Sequence, residues 1–250
     1  MSSHDQIARI RRIEGQPPTF VGNELAQIAT TYAQVFAGDP WFEVTRCTSP
    51  EREFYSEGTP GDLCNKHQTP LTEAYPHEEQ MEAILGEMNH PDASMFVLED
   101  GPQIVGFSWA YTYESPEEFI ASKYQGESRE AQELRDNVSL LLARHGLYGA
   151  FYYLSETGIK PDPRYRGHGY SNELVQRRLE VARERGLDVL QRTNCDSAMY
   201  NTAKTAGFQQ INGRVSVRIM GGRNHLTDEY IGNFKDPINP NRVLFLKKHD

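Results

Sequence analysis

The sequence predicts a mixed α/β domain with a mostly antiparallel central sheet flanked by helices. Three observations predict this class. The dipeptide Asp100-Gly101 separates two apolar runs and is a strong hairpin signal, so the strands on either side are expected to be antiparallel. From residue 151 onward, apolar runs alternate with amphipathic ones in the order strand, helix, strand, helix. Further strand-like runs close the chain, which a doubly wound parallel sheet does not require.

The first 113 residues predict three strands and two helices. Apolar residues from Leu25 to Phe36 recur at helical spacing, which is typical of a helix packed on a core. Asn23 is a candidate N-cap for this helix, and Gly38-Asp39-Pro40 ends it. The predicted elements are a strand at 6–14, helices at 23–37 and 77–88, and strands at 93–99 and 103–113.

The second half predicts alternating helices and strands. Its charged, leucine-bearing stretch at 117–145 predicts one or two helices. Gly207-Phe208 is typical of a left-handed helix C-cap followed by a residue that folds back onto the core. The other predicted elements are strands at 151–159, 187–193, 215–220 and 242–247, and helices at 171–185 and 196–206. We expect a single domain over 1–250, with a loop-rich, cysteine-bearing insert at 41–76 and a helical insertion at 114–147.

A turn with two glycines joins the strand at 151–159 to the helix that follows. It reads Arg166-Gly167-His168-Gly169-Tyr170-Ser171. Backbone N–H groups in such a turn point where the positive end of the helix dipole points, and glycine lets a ligand approach closely. The turn therefore predicts an anion site, with phosphate the favoured ligand and a bland surface turn the alternative. The third glycine of a dinucleotide fingerprint is missing, as is the Gly-Lys-Ser/Thr of a P-loop.

This turn and its surroundings resemble the GNAT superfamily of acyl-CoA N-acyltransferases. The superfamily pattern Gln/Arg-x-x-Gly-x-Gly/Ala is filled from Arg166 to Ser171, with serine in place of the final glycine or alanine. A short strand, Asn194, a helix and Gly207-Phe208 then follow in the superfamily's order, so the resemblance covers residues 151–208. It implies splayed central strands, acetyl-CoA as co-substrate and acetyl transfer to a primary amine of a small molecule or peptide by direct attack. A catalytically weak or inactive CoA-binding regulatory or scaffold domain is the alternative.

The resemblance also implies which residues bind acetyl-CoA. Backbone near Ile159 is expected to pair with the pantetheine arm, and Asn194 to hydrogen-bond it unless Asn194 forms an Asx turn. The pyrophosphate is expected to be bound by the loop residues Arg166, Gly167, His168, Gly169, Tyr170 and Ser171.

Two residues are candidates for proton transfer. Glu156 lies on the strand that enters the loop, where the superfamily often places a glutamate that acts through water. Its apolar neighbours in sequence favour a raised pKa, which suits a general base near neutral pH, while a solvated strand glutamate is the alternative. The superfamily often has a tyrosine four residues before Gly-Phe, but Ala203 occupies that position. Tyr200, one turn earlier, is the candidate general acid or else a core residue. Cys195 is a further nearby candidate.

The 41–76 insert contains two of the three cysteines. Cys47-Thr-Ser-Pro and Cys64-Asn-Lys-His67 resemble two zinc knuckles with one ligand changed in each. The segment looks like a degenerate copy of a cysteine ribbon that some bacterial and archaeal members of the superfamily carry. A structural zinc site wants four ligands, and only Cys47, Cys64 and His67 are obvious. We therefore expect two free thiols and no metal, with zinc as the alternative.

Composition and charge exclude several protein classes. With 250 residues, 38% hydrophobic and 24% charged, the chain can form a sizeable core and is not disordered. A net charge of −9 argues against a general nucleic-acid binder, and the short run Arg177-Arg178 fits a solvated helix face. No apolar run approaches the roughly 20 residues of a membrane helix, and the start lacks a secretory signal. We expect a cytoplasmic protein that binds an amine acceptor and neither nucleic acid nor membranes; a homodimer stays open.

Overall fold

The computed structural model describes residues 7–49, 53–218, 224–231 and 242–249. Its strands are β1 (Arg9–Ile13), β2 (Thr45–Cys47), β3 (Phe54–Tyr55), β4 (Leu71–Glu73), β5 (Ser94–Asp100), β6 (Gln103–Tyr113), β7 (Phe151–Ile159), β8 (Asp188–Asn194), β9 (Gln209–Gln210), β10 (Gly213–Arg218), β11 (Asn224–Ile231) and β12 (Arg242–Lys247). Its helices are α1 (Glu24–Phe36), α2 (His77–Met88), α3 (Pro116–Lys123), α4 (Arg129–Arg144), α5 (Tyr170–Glu184) and α6 (Ala198–Thr205).

A seven-stranded mixed sheet forms the centre of the molecule, in the order β1-β5-β6-β7-β8-β12-β9. Its neighbours are antiparallel except β7 and β8, which are parallel. Two smaller sheets, β3-β2-β4 and β10-β11, lie within the described residues as well. This arrangement confirms the mixed, mostly antiparallel sheet that the sequence predicts.

Alternation along the strands divides the core between the two faces of the sheet. Trp109 and Tyr153 point to one face, where α1 to α4 pack, while Ala110 and Tyr152 point to the other, where α5 and α6 pack. Successive side chains of a strand point to opposite faces, so strands buried on both sides supply both clusters. In the described part of the chain, six helices therefore cover the two faces of the sheet.

The sheet opens between its two parallel strands. The pairing of β7 with β8 extends only from Phe151 opposite Asp188 to Leu154 opposite Gln191. Beyond Leu154, β7 continues to Ile159 paired with β6, while the end of β8 pairs with β12. The resulting wedge is the splayed centre that the resemblance implies.

Most predicted elements are confirmed, several with the same bounds. The helix at 77–88 and the strands at 103–113, 151–159 and 242–247 are found as predicted, and 117–145 forms two helices, α3 and α4. Gly207 has a φ of 81°, and the Phe208 N–H donates to the Ala203 carbonyl, so the predicted C-cap is also present.

Two expectations about where elements begin need correction. Asn23 precedes α1, but its side chain accepts from Gln27 Nε2 instead of capping the backbone. The first strand, predicted at 6–14, extends from Arg9 to Ile13 among the described residues, and residue 6 lies outside them. The predicted strand at 215–220 falls on β10, whose last described residue is Arg218; residues 219–220 lie outside the described ranges. Within those ranges, no helix is both long and apolar enough to cross a bilayer.

Candidate active site

The loop between β7 and α5 has the backbone conformation that an anion site requires. A short 3-10 turn, Pro163–Tyr165, leads into Gly167 and Gly169, whose φ values are 78° and 79°. Only glycine adopts this left-handed region readily, and Gly169 is the N-cap of α5. The first backbone N–H groups of α5 are therefore presented beside the positive end of its dipole.

Two buried tyrosines fix this loop from beneath. The Tyr165 hydroxyl donates to the Asp100 carboxylate at 2.7 Å, and the Tyr170 hydroxyl accepts from the Ala8 N–H at 3.1 Å. Arg164 is held by Asp162 through contacts of 2.8 and 3.0 Å. The neighbouring Arg166 lines a groove next to the loop.

A groove of about 400 Å³ extends from this loop along the open edge of β7. Its lining includes Arg166 and the two loop glycines, residues 157–159, residues 196–199 and Trp41. Residues 157–159 lie on the part of β7 that is not paired with β8. An extended ligand can therefore contact the loop and the unpaired strand edge at once.

The structure brings most of the predicted acetyl-CoA residues to this groove, but not all. Those that line it are Ile159, Arg166, Gly167, Gly169, Tyr170 and Ser171. His168 is exposed on the loop outside the lining. Asn194 is 8% exposed, and its Oδ1 accepts from the Asp196 N–H at 2.9 Å, which is the Asx turn named as the alternative.

Glu156 lies on β7 opposite Trp109, where a bulge shifts the register between β6 and β7. Its side chain keeps partial contact with solvent although protein surrounds it. Burial raises the pKa of Glu156 to about 7; the nearby Glu87 and Glu43 carboxylates add to the rise, and Arg242 and Lys123 oppose it. A carboxylate with such a pKa can exchange a proton near neutral pH.

Two further carboxylates, which sequence reasoning missed, lie near Glu156. Glu87 of α2 accepts hydrogen bonds from Ser155 Oγ at 2.9 Å, Trp109 Nε1 at 2.5 Å and Tyr111 at 3.2 Å. Glu43 accepts from the Tyr75 hydroxyl, and burial raises the pKa of this carboxyl while Tyr75 and Arg242 oppose the rise. Neither residue belongs to a motif, so only the folded chain identifies them.

A buried arginine secures the bulge beside Glu156. Arg178 of α5 is 1% exposed and donates to the Trp109 carbonyl at 3.2 Å, the Glu156 carbonyl at 3.4 Å and Thr157 Oγ1 at 2.6 Å. Burial lowers the pKa of its guanidinium to about 9. The expectation of a solvated face for Arg177-Arg178 is therefore wrong for Arg178, because α5 turns this position toward the sheet.

Tyr200 and Cys195 are placed in the core. Both are fully buried, and Tyr200 packs edge-on against Phe245 with ring centroids 5.3 Å apart. The Tyr200 hydroxyl donates to Gln210 Oε1 at 2.7 Å. Neither side chain lines the groove, so the position of Tyr200 fits the core interpretation better than that of a general acid.

Comparison with known proteins shows the family to which the chain belongs. A family model described as the acetyltransferase (GNAT) family matches residues 61–208. No curated protein matches the sequence. Among solved structures, polyamine N-acetyltransferase of Drosophila melanogaster is similar with a TM-score of 0.53 and 15% identity, over 96% of this chain and 100% of that one. Arylalkylamine N-acetyltransferase 2 from Aedes aegypti has a TM-score of 0.51 and 15% identity, over 97% and 99%. At these identities the likeness shows the fold.

Proposed function

Since this chain belongs to the acetyltransferase (GNAT) family, we propose that it transfers an acetyl group from acetyl-CoA to a primary amine of a small molecule or peptide. One observation carries the proposal. The open edge of β7 joins a carboxylate whose pKa is about 7, Glu156, to the glycine loop that begins α5. Glu156 and the anion site therefore lie at separate points along β7. Acetyl-CoA requires such a separation, because its thioester is distant from its pyrophosphate.

The loop and the strand edge supply donor binding. Backbone N–H groups from Gly167 to Ser171 bind the pyrophosphate, and Arg166 adds positive charge. The unpaired edge of β7 up to Ile159 hydrogen-bonds the pantetheine arm as an added strand would. Both contacts hold the thioester beside Glu156, so the donor is oriented before the acceptor arrives.

Glu156 acts as the general base in this proposal. The acceptor arrives as an ammonium and loses a proton to the Glu156 carboxylate, directly or through one water molecule. The neutral amine attacks the thioester carbonyl carbon, a C–N bond forms, and the C–S bond breaks as the CoA thiolate leaves. As the amide forms, the nitrogen loses its second proton to solvent, and the thiolate takes up one proton from solvent or from protonated Glu156. Where solvent protonates the thiolate, Glu156 releases its own proton to solvent, so the base is regenerated and one proton is released per turnover. No tyrosine is assigned as a dedicated acid.

The charges around Glu156 favour a cationic acceptor. Three carboxylates, Glu43, Glu87 and Glu156, face two cations, Lys123 and Arg242. Two aromatic side chains are hydrogen-bonded to these carboxylates, Tyr75 to Glu43 and Trp109 to Glu87. Solved structures of the same fold include polyamine and arylalkylamine acetyltransferases, which supports a small amine as acceptor.

The alternative is a CoA-binding regulatory domain without turnover. The observation that favours it is the placement of Tyr200, whose hydroxyl is bonded to Gln210 in the core. Such a protein keeps the loop and the strand edge but transfers no acetyl group.

A free-thiol release assay with acetyl-CoA across a panel of amines and amino-terminal peptides separates the two functions. We expect release of CoA that depends on the amine, with binding of acetyl-CoA confirmed by calorimetry. Binding without release on any amine supports the regulatory alternative. Absence of binding at millimolar acetyl-CoA contradicts both.

A further inference from the structure

The insert between α1 and α2 folds with almost no apolar core. Its sheet, β3-β2-β4, has strands of two or three residues. Its buried cluster consists of Cys47, Cys64 and Leu71, with Tyr55 packed against it. A sheet of this size is marginal in water unless a metal, a cross-link or a larger neighbour stabilises it. The question is what the two buried cysteines contribute beyond their small volume.

The structure brings three metal-ligating side chains of the insert together. Cys47, Cys64 and His67 each offer one ligand atom, and these atoms lie within 4.8 Å of one another. In a tetrahedral zinc site, with Zn–S near 2.3 Å and Zn–N near 2.0 Å, ligand atoms lie roughly 3.5–3.8 Å apart. Cys47 Sγ and His67 Nδ1 are already separated by 3.5 Å. Within the described parts of the chain, this is the one group of its kind.

The backbone around Cys64 holds two of these ligands on one side of a tight turn. The His67 N–H donates to Cys64 Sγ at 3.2 Å, and the Gln68 N–H donates to the Cys64 carbonyl at 3.0 Å. Gln68 has a φ of 55°, which a non-glycine residue adopts only when its surroundings require it. An N–H donated to sulfur stabilises a thiolate, which is the form that binds metal.

Ser49 faces the remaining side of the cluster. Its Oγ lies 2.8 Å from Cys47 Sγ and 3.2 Å from His67 Nδ1, and the residue is 6% exposed. A hydroxyl at this point can occupy the fourth position of a tetrahedron or orient a water molecule there. The sequence shows no fourth ligand, but in the folded chain the Ser49 hydroxyl lies next to the other three.

We propose that Cys47, Cys64 and His67 bind one Zn²⁺, with the fourth position beside Ser49 Oγ. Binding displaces one proton from each thiol, so two thiolates and a neutral imidazole give an uncharged centre. The sequence alone favours free thiols because it shows only three of the four ligands that a structural zinc site wants. The site lies outside the acetyl-CoA groove, and its role is to stabilise the insert.

A stable insert matters for the region around Glu156. The Ala74 N–H donates to the Val44 carbonyl at 3.1 Å, and Arg46 pairs with Glu79 of α2. Val44 and Ala74 are the chain neighbours of Glu43 and Tyr75, and the Tyr75 hydroxyl donates to the Glu43 carboxylate. Zinc in the insert therefore fixes the segment that positions Glu43, without contacting the reacting groups.

Metal analysis of the full chain, purified without chelators or metal-affinity resin, is the first test. We expect about one zinc per chain, and less than about 0.2 overturns the proposal. Reconstitution of the apo protein with Co²⁺ requires no variant: visible bands of a tetrahedral thiolate–cobalt centre are expected, and an octahedral spectrum contradicts the site.

Substitutions then assign the ligands. Cys64→Ser and His67→Ala are expected to reduce bound zinc at least about tenfold. The matched controls Cys195→Ser and His77→Gln change a cysteine and a histidine outside the cluster and are expected to keep it. Equal zinc content in all four variants overturns the assignment, as does a Cys47–Cys64 disulfide in protein purified under reducing conditions.

Ser49→Cys tests the fourth position as a gain of affinity. A third thiolate at this point is expected to slow zinc loss to a chelator by about tenfold or more. Ser56→Cys adds a thiol to an exposed position of the same insert and is expected to leave the rate unchanged. If the two variants lose zinc at the same rate, Ser49 does not face the metal and the proposed geometry is wrong.

Discussion

Glu156 takes its chemistry from residues that are distant in sequence. Its apolar neighbours along the strand already favour a raised pKa, and burial is indeed the main cause. The charges that raise the pKa of Glu156 further come from other elements, since Glu87 lies on α2 and Glu43 in the insert. A carboxylate that shares a partly buried region with two others holds its proton to higher pH than strand neighbours alone would cause.

Removal of the Glu156 carboxylate should abolish a pH-dependent step. With the pKa of Glu156 at about 7, kcat/KM is expected to rise with pH up to about 7 and to level off above it, because only the ionised form accepts a proton. Glu156→Gln should lower kcat by about 10²–10⁴ and remove this inflection. Rates measured from pH 5.5 to 9 test both effects, with the exposed Glu117→Gln as control. An unchanged inflection in Glu156→Gln would mean that another group titrates.

Arg178 is expected to contribute more to the free energy of unfolding than an exposed arginine does. Arg178→Met leaves the Trp109 and Glu156 carbonyls and Thr157 Oγ1 without their buried donor, which costs about 3 kcal/mol. Arg177→Met, one residue earlier and exposed, is expected to change the free energy of unfolding by less than about 0.5 kcal/mol. Urea unfolding measures both, and equal effects would contradict the role given to Arg178.

At the scale of elements, local signals carried most of the prediction. Asp100-Gly101 predicted the β5–β6 hairpin, where Gly101 has a φ of 58°, and helical spacing predicted α1 to within one residue at each end. Such signals lie in neighbouring residues, so the sequence alone reveals them. The side-chain roles of Arg178 and Asn23 were mispredicted, because the direction of a side chain depends on what packs against its helix.

The loop before α5 gives a test of backbone conformation alone. Gly169→Ala adds a methyl group that meets no atom within 4 Å, but at a φ of 79° it costs about 1–2 kcal/mol. Relief of that strain moves the N–H groups of the loop, so Kd for acetyl-CoA is expected to rise about tenfold. Gly149→Ala, also in open space but without a positive φ, is the control. Equal affinity in both variants, measured by calorimetry, would exclude the loop from binding.

At the scale of the whole molecule, the wedge between β7 and β8 is the feature that composition and periodicity do not reveal. There β8 leaves β7 after Gln191 but stays paired with β12 from Val189 to Asn194, and the β8–β12 pairing joins residues about fifty positions apart in the chain. The convergence of Glu43, Glu87 and Glu156 has the same origin. Resemblance implied the wedge, whereas the carboxylate cluster required the folded structure.

A ligand bridging this wedge should stabilise the entire fold. At 100 times its Kd, acetyl-CoA adds about 2.7 kcal/mol to the free energy of unfolding. For a chain of 250 residues this corresponds to a rise in Tm of roughly 5–10 °C.

Pantetheine contacts the edge of β7 but has no pyrophosphate, so at the same concentration its effect is expected to be much smaller. Gly169→Ala should reduce the response to acetyl-CoA and leave the response to pantetheine unchanged, as followed by thermal unfolding. Equal shifts from the two ligands would mean that the strand edge alone binds the donor and that the glycine loop has another purpose.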